Sequence, residues 1–201
     1  MLFERRKVRA LASGNILREA IRNGDPIGQE AARCLREGVL VPNGLVTDLI
    51  LSRLQPIGPG DSFVLDGFPR TVSQAQSLDA WLQQRNQPGL DLAVDFEIAA
   101  DAVLRRLAGR RICRKCGANY HLQNFPPKRG GRCDRCGGEL GKRSDDDPET
   151  IPKRLVVYHE ETEPLLSFYR AQGKLRTVPG DLAIEAQYDA VMDLLQRERL
   201  G

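Results

Sequence analysis

An α/β fold, with a parallel sheet, flanking helices and one small inserted subdomain, is what this sequence predicts, on three observations. Strand-like segments alternate with helical ones along most of the chain. One candidate strand, Leu92 to Ile98, is largely apolar, interrupted by Asp95 and Glu97, and reads as a parallel strand covered on both faces. A Gly-rich, cysteine-bearing stretch at about 112–147 interrupts the alternation. The 201 residues suffice for one sizeable domain carrying such an insert. An apolar share near one half, once glycine is added, excludes disorder. No run approaches the ~18 apolar residues of a membrane span. Met1 to Ala10 holds four basic side chains and no apolar core of signal-peptide length, so a cytosolic protein is expected.

Each element has a local reason. Ser13-Gly14-Asn15 offers N-cap residues ahead of Ile16, Leu17, Ala20 and Ile21, which share one face of a short helix stopping at Gly24. A second helix, about Gly28 to Glu37, ends at Gly38. Val39-Leu40-Val41 reads as extended, Pro42 suits a helix's first position, and Leu45, Val46, Leu49, Ile50 and Leu54 recur at helical spacing up to the Pro56–Gly60 turn. A strand at Ser62 to Asp66 and a helix from about Thr71 to Arg85 follow, then the Leu92 strand and a helix opened by Asp101. Beyond the insert come one long helix (Glu149 to Gln172), a strand (Lys174 to Val178) and a last helix (Ala183 to Arg199).

Within the insert, Cys113-x2-Cys116 and Cys133-x2-Cys136 are separated by 16 residues, which is the spacing of a structural zinc site. Each pair forms a knuckle with two thiolates on one side, and two knuckles give four tetrahedral sulfurs with no open position for chemistry. The metal would supply the folding free energy that a short polar segment lacks. Disulfides are the alternative, disfavoured in a cytosolic chain. His121 is superfluous as a ligand, since four cysteines fill the tetrahedron. Cys34 reads as an inert core thiol.

Charge points to the ligand. The net +3 conceals +10 between Arg105 and Arg143, where twelve Lys/Arg face only Asp134 and Glu139. Such a segment meets concentrated negative charge, and nucleoside polyphosphate and nucleic acid are the candidates. At the carboxyl end of the Ser62 strand, where parallel sheets bind ligands, stands Leu65-Asp66-Gly67-Phe68-Pro69-Arg70-Thr71.

That string resembles the signature of the adenylate kinases, and it does not stand alone. Ala12-Ser13-Gly14-Asn15-Ile16-Leu17-Arg18, the loop Gly38-Val39-Leu40-Val41-Pro42, and Gln74 are similar to the family's AMP side. Arg106-x3-Arg110-Arg111, the knuckles, Asn119-Tyr120-His121, Arg143-Ser144-Asp145-Asp146 and Arg154-Leu155 are similar to the mobile lid and flanks of its zinc-bearing branch. The resemblance spans about Leu11 to Gly180. It implies a core at 1–111 and 148–201, an AMP-binding subdomain at about 13–42 and a zinc-binding lid at 112–147.

The resemblance implies reversible transfer of a phosphoryl group, ATP + AMP to two ADP, with Mg²⁺ and one structural Zn²⁺, in a cytoplasmic monomer with no nucleic-acid or membrane partner. Catalysis of this kind is mainly positioning and neutralisation, which accounts for the arginine excess. By the resemblance Arg70, Arg110, Arg143, Arg154 and Asp66 form the catalytic set, with Asp66 holding water on Mg²⁺. AMP falls to Ser13, Gly14, Arg18, Val39, Leu40, Val41, Gly67, Arg70, Gln74, Arg143 and Arg154. ATP falls to Arg106, Arg110, Asn119, Tyr120 and the backbone near Leu182, and the metal to Cys113, Cys116, Cys133 and Cys136.

Two features depart from the family. Asn15 stands where an Asp is usual, and nothing in the chain matches the family's G-x-x-x-x-G-K-[ST] phosphate loop or the strand before it. Met1 to Val8 reads as the tail of the helix that would follow that loop. The expectations are therefore a sheet without its first strand, low turnover by these 201 residues, and a reading frame that begins at an internal Met. A loop-less relative that binds AMP without catalysis is the alternative. A zinc-ribbon nucleic-acid binder is the remote one.

Overall fold

The computed structural model describes residues 8–24, 26–37, 39–58, 60–143, 146 and 149–200, with the backbone alone at Leu35. The expectations placed on Met1–Lys7, Gly38, Ser144 and Asp145 lie outside the described residues.

The parallel pair β1 (Arg9–Ala12) and β2 (Phe63–Asp66) positions the first candidate site. Their register sets Arg9 opposite Phe63 and Ala12 opposite Asp66, so whatever follows Ala12 lies beside whatever follows Asp66. Helix α1 (Ser13–Asn23) starts there, and Gly24 closes it with a left-handed backbone, as the sequence predicts. Its start differs from expectation. Ser13 is already helical and Ala12 occupies the cap position with no side-chain bond, because the strand register extends through Ala12.

Helix α2 (Pro26–Glu37) crosses α1 closely. A Cβ on Gly28 would lie 2.2 Å from the Ala20 carbonyl oxygen, so only glycine permits this approach. Helix α3 (Asn43–Leu54) begins one residue beyond Pro42. Helix α4 (Val72–Gln84) is capped by Thr71, whose Oγ1 accepts the Gln74 amide. Apolar faces of these helices close one core, in which Ile50, Leu54, Leu78 and Leu82 are fully enclosed.

Strand β3 (Ala93–Glu97) pairs with β7 (Leu175–Pro179) in a second two-stranded sheet. The described strands thus form two pairs and a small third sheet rather than one wide sheet. Helix α5 (Ala100–Gly109) leads into that third sheet, in which β4 (Arg110–Cys113) runs antiparallel to both β5 (Asn119–His121) and β6 (Leu140–Gly141).

The long helix expected at Glu149 to Gln172 is broken. Helix α6 (Thr150–Val157) passes into a π-helical turn, Tyr158–Thr162, before α7 (Glu163–Ala171). Pro164 sits in the first turn of α7. It has no N–H to return to the preceding turn, so a continuous α-helical ladder cannot run through it. Helix α8 (Ile184–Arg197) ends the described fold, and no helix among the described residues is long and apolar enough to cross a membrane.

The chain divides into two compact units, Met1–Ala93 with Pro152–Leu175, and Val94–Ile151 with Arg176–Gly201. The first carries the apolar core above and a smaller cluster in which Ala75 meets Leu165 and Tyr169. The second carries the cysteine-bearing segment.

Candidate functional site

In the first unit the β1–β2 register brings Ser13 against the loop after Asp66. Ser13 is buried, and its hydroxyl donates to the Gly67 carbonyl at 2.7 Å. Gly67 has a φ of 72°, and a Cβ there would stand 2.9 Å from the Ser13 hydroxyl, so glycine is required on both counts. Arg70 turns back across the same carbonyl, its Nε donating to Gly67 O at 3.0 Å. The Phe68–Pro69 peptide between them is cis.

Gln74 braces the loop from behind. Its Oε1 accepts the Arg70 amide at 2.7 Å, and its Nε2 donates to Asn43 Oδ1 at 2.8 Å. Asn43 in turn donates to Ser73 Oγ at 2.9 Å. Thr71-x-x-Gln74 is thus a variant of the capping box, with the glutamine reaching one residue beyond the cap. Gln74, which the resemblance assigns to AMP, is buried and bonded at both ends, while nothing local in the sequence marks Asn43 and Ser73.

Gly14 and Arg18 share one turn of α1, and Arg18 donates to Asn15 Oδ1 at 2.7 Å. The amino end of α1 adds the partial positive charge of its unpaired amides. Val41 is buried in the core, Leu40 is half-buried and Val39 is exposed, its amide bonded to the Cys34 carbonyl. Asp66 is exposed at the end of β2, and Arg154 stands on α6 within the first unit. Cys34 is enclosed, and burial pushes its thiol pKa up, as suits a core residue.

The second unit holds Arg106, Arg110, Asn119, Tyr120, Arg143 and Leu182. Arg106 donates to the Leu182 carbonyl at 3.3 Å, joining two members of the expected ATP set across 76 residues. Arg110 opens β4, and its Nε and Nη2 grip the two oxygens of Asp146, which is buried. Asn119 is exposed on β5. The Tyr120 ring is buried, and its hydroxyl reaches the cysteine cluster.

Two knuckles with one hydrogen-bond plan build the candidate metal centre. Cys113 N–H bonds Ala118 O while Gly117 N–H bonds Cys113 O, and Cys133 and Gly137 repeat this with Gly138 and Cys133. The sulfurs of Cys113 and Cys136 lie 3.5 Å apart, as do those of Cys116 and Cys133, and all four fall within 4.8 Å. A disulfide needs about 2.05 Å, so these are thiols, whereas four sulfurs about 2.3 Å from one zinc stand roughly 3.8 Å apart. The donor set therefore fits a metal ion, and the disulfide alternative is set aside.

Electrostatics prepare the ligands. The Tyr120 hydroxyl, which also accepts the Asp134 amide at 2.7 Å, is the main cause that pulls Cys133 down to about 6. The Cys116 amide lowers Cys113. The Gly138 amide draws Cys136 down, but hydrogen bonding with the Cys116 thiol, burial, and bonding with Cys113 and Cys133 together push Cys136 up to about 12. A cation at the centre would favour all four thiolates, and binding it would release protons. His121 takes no part. Its Nδ1 accepts the Gln123 and Asn124 amides, which shapes the turn after β5.

Comparison with known proteins adds the family. A family model described as adenylate kinase matches residues 1–174. A protein named adenylate kinase from Moorella thermoacetica is 44% identical over 188 residues, covering 94% of this chain and 86% of that protein. Namesakes from Thermodesulfovibrio yellowstonii and Syntrophobacter fumaroxidans are 40% identical over 197 residues and 42% over 185, covering 98% and 92% of this chain and 91% and 86% of theirs.

Proposed function

The chain belongs to the adenylate kinase family, the nucleoside monophosphate kinases named for adenylate, and from that premise we propose that it moves a phosphoryl group reversibly between ATP and AMP to give two ADP. The observation that carries the reading is the fastening of the Asp66–Arg70 loop onto the start of α1 through Ser13 and Gly67. It sets an arginine fork beside the positive end of a helix, the arrangement a monophosphate dianion calls for.

In this reading Ser13, Gly14, Arg18, Val39, Leu40, Val41, Gly67, Arg70 and Gln74 hold AMP, and Gln74 acts by fixing the loop as well as by reading a base. Arg143 and Arg154 neutralise the transferring group. Arg106 and Arg110, with Asn119, Tyr120 and the Leu182 backbone, hold ATP. An oxygen of the AMP phosphate forms the new P–O bond as the bond from the γ-phosphorus to the ADP oxygen breaks, and both oxygens are ionised, so no base is needed. Asp66 offers an exposed carboxylate to the hydration shell of Mg²⁺, which when bound offsets charge on the β- and γ-oxygens. Zn²⁺ on Cys113, Cys116, Cys133 and Cys136 orders the lid and stays out of the chemistry. The protein acts as a cytoplasmic monomer, without nucleic-acid or membrane partners.

Binding and transfer are tested separately, because the 201 residues hold no G-x-x-x-x-G-K-[ST] segment. Calorimetric titration of the metal-loaded chain with AMP is expected to show one site, weakened ~10- to 100-fold in Arg70→Ala through loss of charge-assisted bonds. ADP formed from ATP and AMP is followed chromatographically. Binding without transfer selects the alternative, a nucleotide-binding relative. A folded, metal-loaded chain that neither binds AMP nor forms ADP overturns the proposal.

A further inference from the structure

Among the described residues Asp146 is the only buried acidic side chain, and it lies three residues beyond the strongly basic segment Arg105 to Arg143. Its side chain is 1% exposed, and its Oδ2 accepts Arg110 Nε at 2.6 Å while Oδ1 accepts Nη2. The two residues stand on the two stems of the lid. Arg110 is the first residue of β4, and Asp146 follows β6, with its amide bonded to the Arg143 carbonyl at 3.2 Å.

We propose that Asp146 is a positioning residue for ATP, holding the Arg110 guanidinium by one edge so that the other edge is aimed before the nucleotide arrives. The proposal rests on the reading of Arg110 as an ATP contact. A carboxylate that takes Nε and Nη2 together fixes the plane of the guanidinium and leaves its Nη1 edge to meet a phosphate oxygen. An unheld arginine would lose its many rotamers on binding, and the ion pair imposes that order in advance. The same contact brings the two lid stems together, so the aim of Arg110 is tied to the lid itself. A carboxylate here also removes part of the attraction for ATP, so placement rather than added charge is its contribution.

The test uses the full metal-loaded chain and compares ATP with AMP. In Asp146→Asn the amide NH₂ faces the guanidinium and breaks the paired contact. ATP affinity is expected to fall about tenfold, with AMP affinity, metal content and melting temperature held. Asp146→Glu, which keeps the two oxygens, is expected to recover part of the loss. In an Arg110→Lys background Asp146→Asn is expected to add less than about twofold, since an ammonium cannot use a bidentate partner. Unchanged ATP affinity in Asp146→Asn overturns the proposal, as does a loss shared equally by AMP and accompanied by metal release, which marks a structural staple. A parent chain that binds AMP but not ATP removes the reading of Arg110 on which the proposal stands.

Discussion

The loop that carries Arg70 and the cysteine-bearing insert that Arg110 leads into are fixed by different means. Around the loop, helices α1, α3 and α4 bury large side chains in a common core, and short polar bonds among Ser13, Gly67, Arg70, Gln74 and Asn43 only trim a surface that packing has already set. In the lid the buried cluster comprises Cys113, Tyr120 and Cys133, two of which belong to the four-cysteine cluster that could hold a metal ion and the third of which is bonded to one of them. Its strands are two to four residues long. Apolar burial stabilises by area, so a segment with so little of it needs another source of order, which four thiolates on one cation would provide. The first region tolerates loss of a polar contact better than loss of a core side chain, and the second the reverse.

Metal removal tests this contrast most strongly. Structural zinc in small modules contributes about 10–16 kcal/mol of apparent binding free energy, so chelation, or Cys113→Ser, is expected to leave 112–147 open to protease while residues 13–74 remain protected. Mass spectrometry of the fragments checks it, and a protease-resistant lid in a metal-free chain would break the comparison. Acid acts in the same direction, because protons compete with the metal for thiolates. The converse experiment is Leu78→Ala, which opens a cavity at a fully enclosed position of α4. It is expected to cost about 3 kcal/mol in urea unfolding while the chain keeps its metal.

Tyr120→Phe sharpens the lid side with the smallest effect. Loss of the hydroxyl takes one bond from Cys133 and one acceptor from the Asp134 amide, and metal affinity is expected to fall about tenfold, read by competition with a chromophoric chelator. Its pH dependence has a definite sign. Tyr120 holds Cys133 down, so without it that pKa rises, protons compete better, and the metal leaves at a higher pH than in the parent chain.

Much of this was legible in the sequence because it depends on neighbours. The two C-x2-C pairs already bring four cysteines together, the helix of Thr71 begins where the sequence predicts, and Gly24 ends α1 as its place after the apolar face requires. The helix break at Tyr158–Thr162 was missed although its cause, Pro164, is local, since apolar spacing runs on smoothly through the proline. Asp146 stands in the sequence only as the last residue of Arg143-Ser144-Asp145-Asp146, a string that resembles the lid's flank. Sequence alone thus determined much of the order of the elements and the grouping of the four cysteines. Tertiary structure alone decided that Ser13 serves the Gly67 carbonyl 54 residues away rather than capping its own helix, that both ends of the Gln74 amide are engaged, that the Tyr120 hydroxyl belongs to the metal cluster, and that Asp146 pairs with Arg110 across 36 residues. A bond within one turn follows from backbone geometry, whereas a partner tens of residues distant is chosen by strand register and packing, which no local pattern encodes.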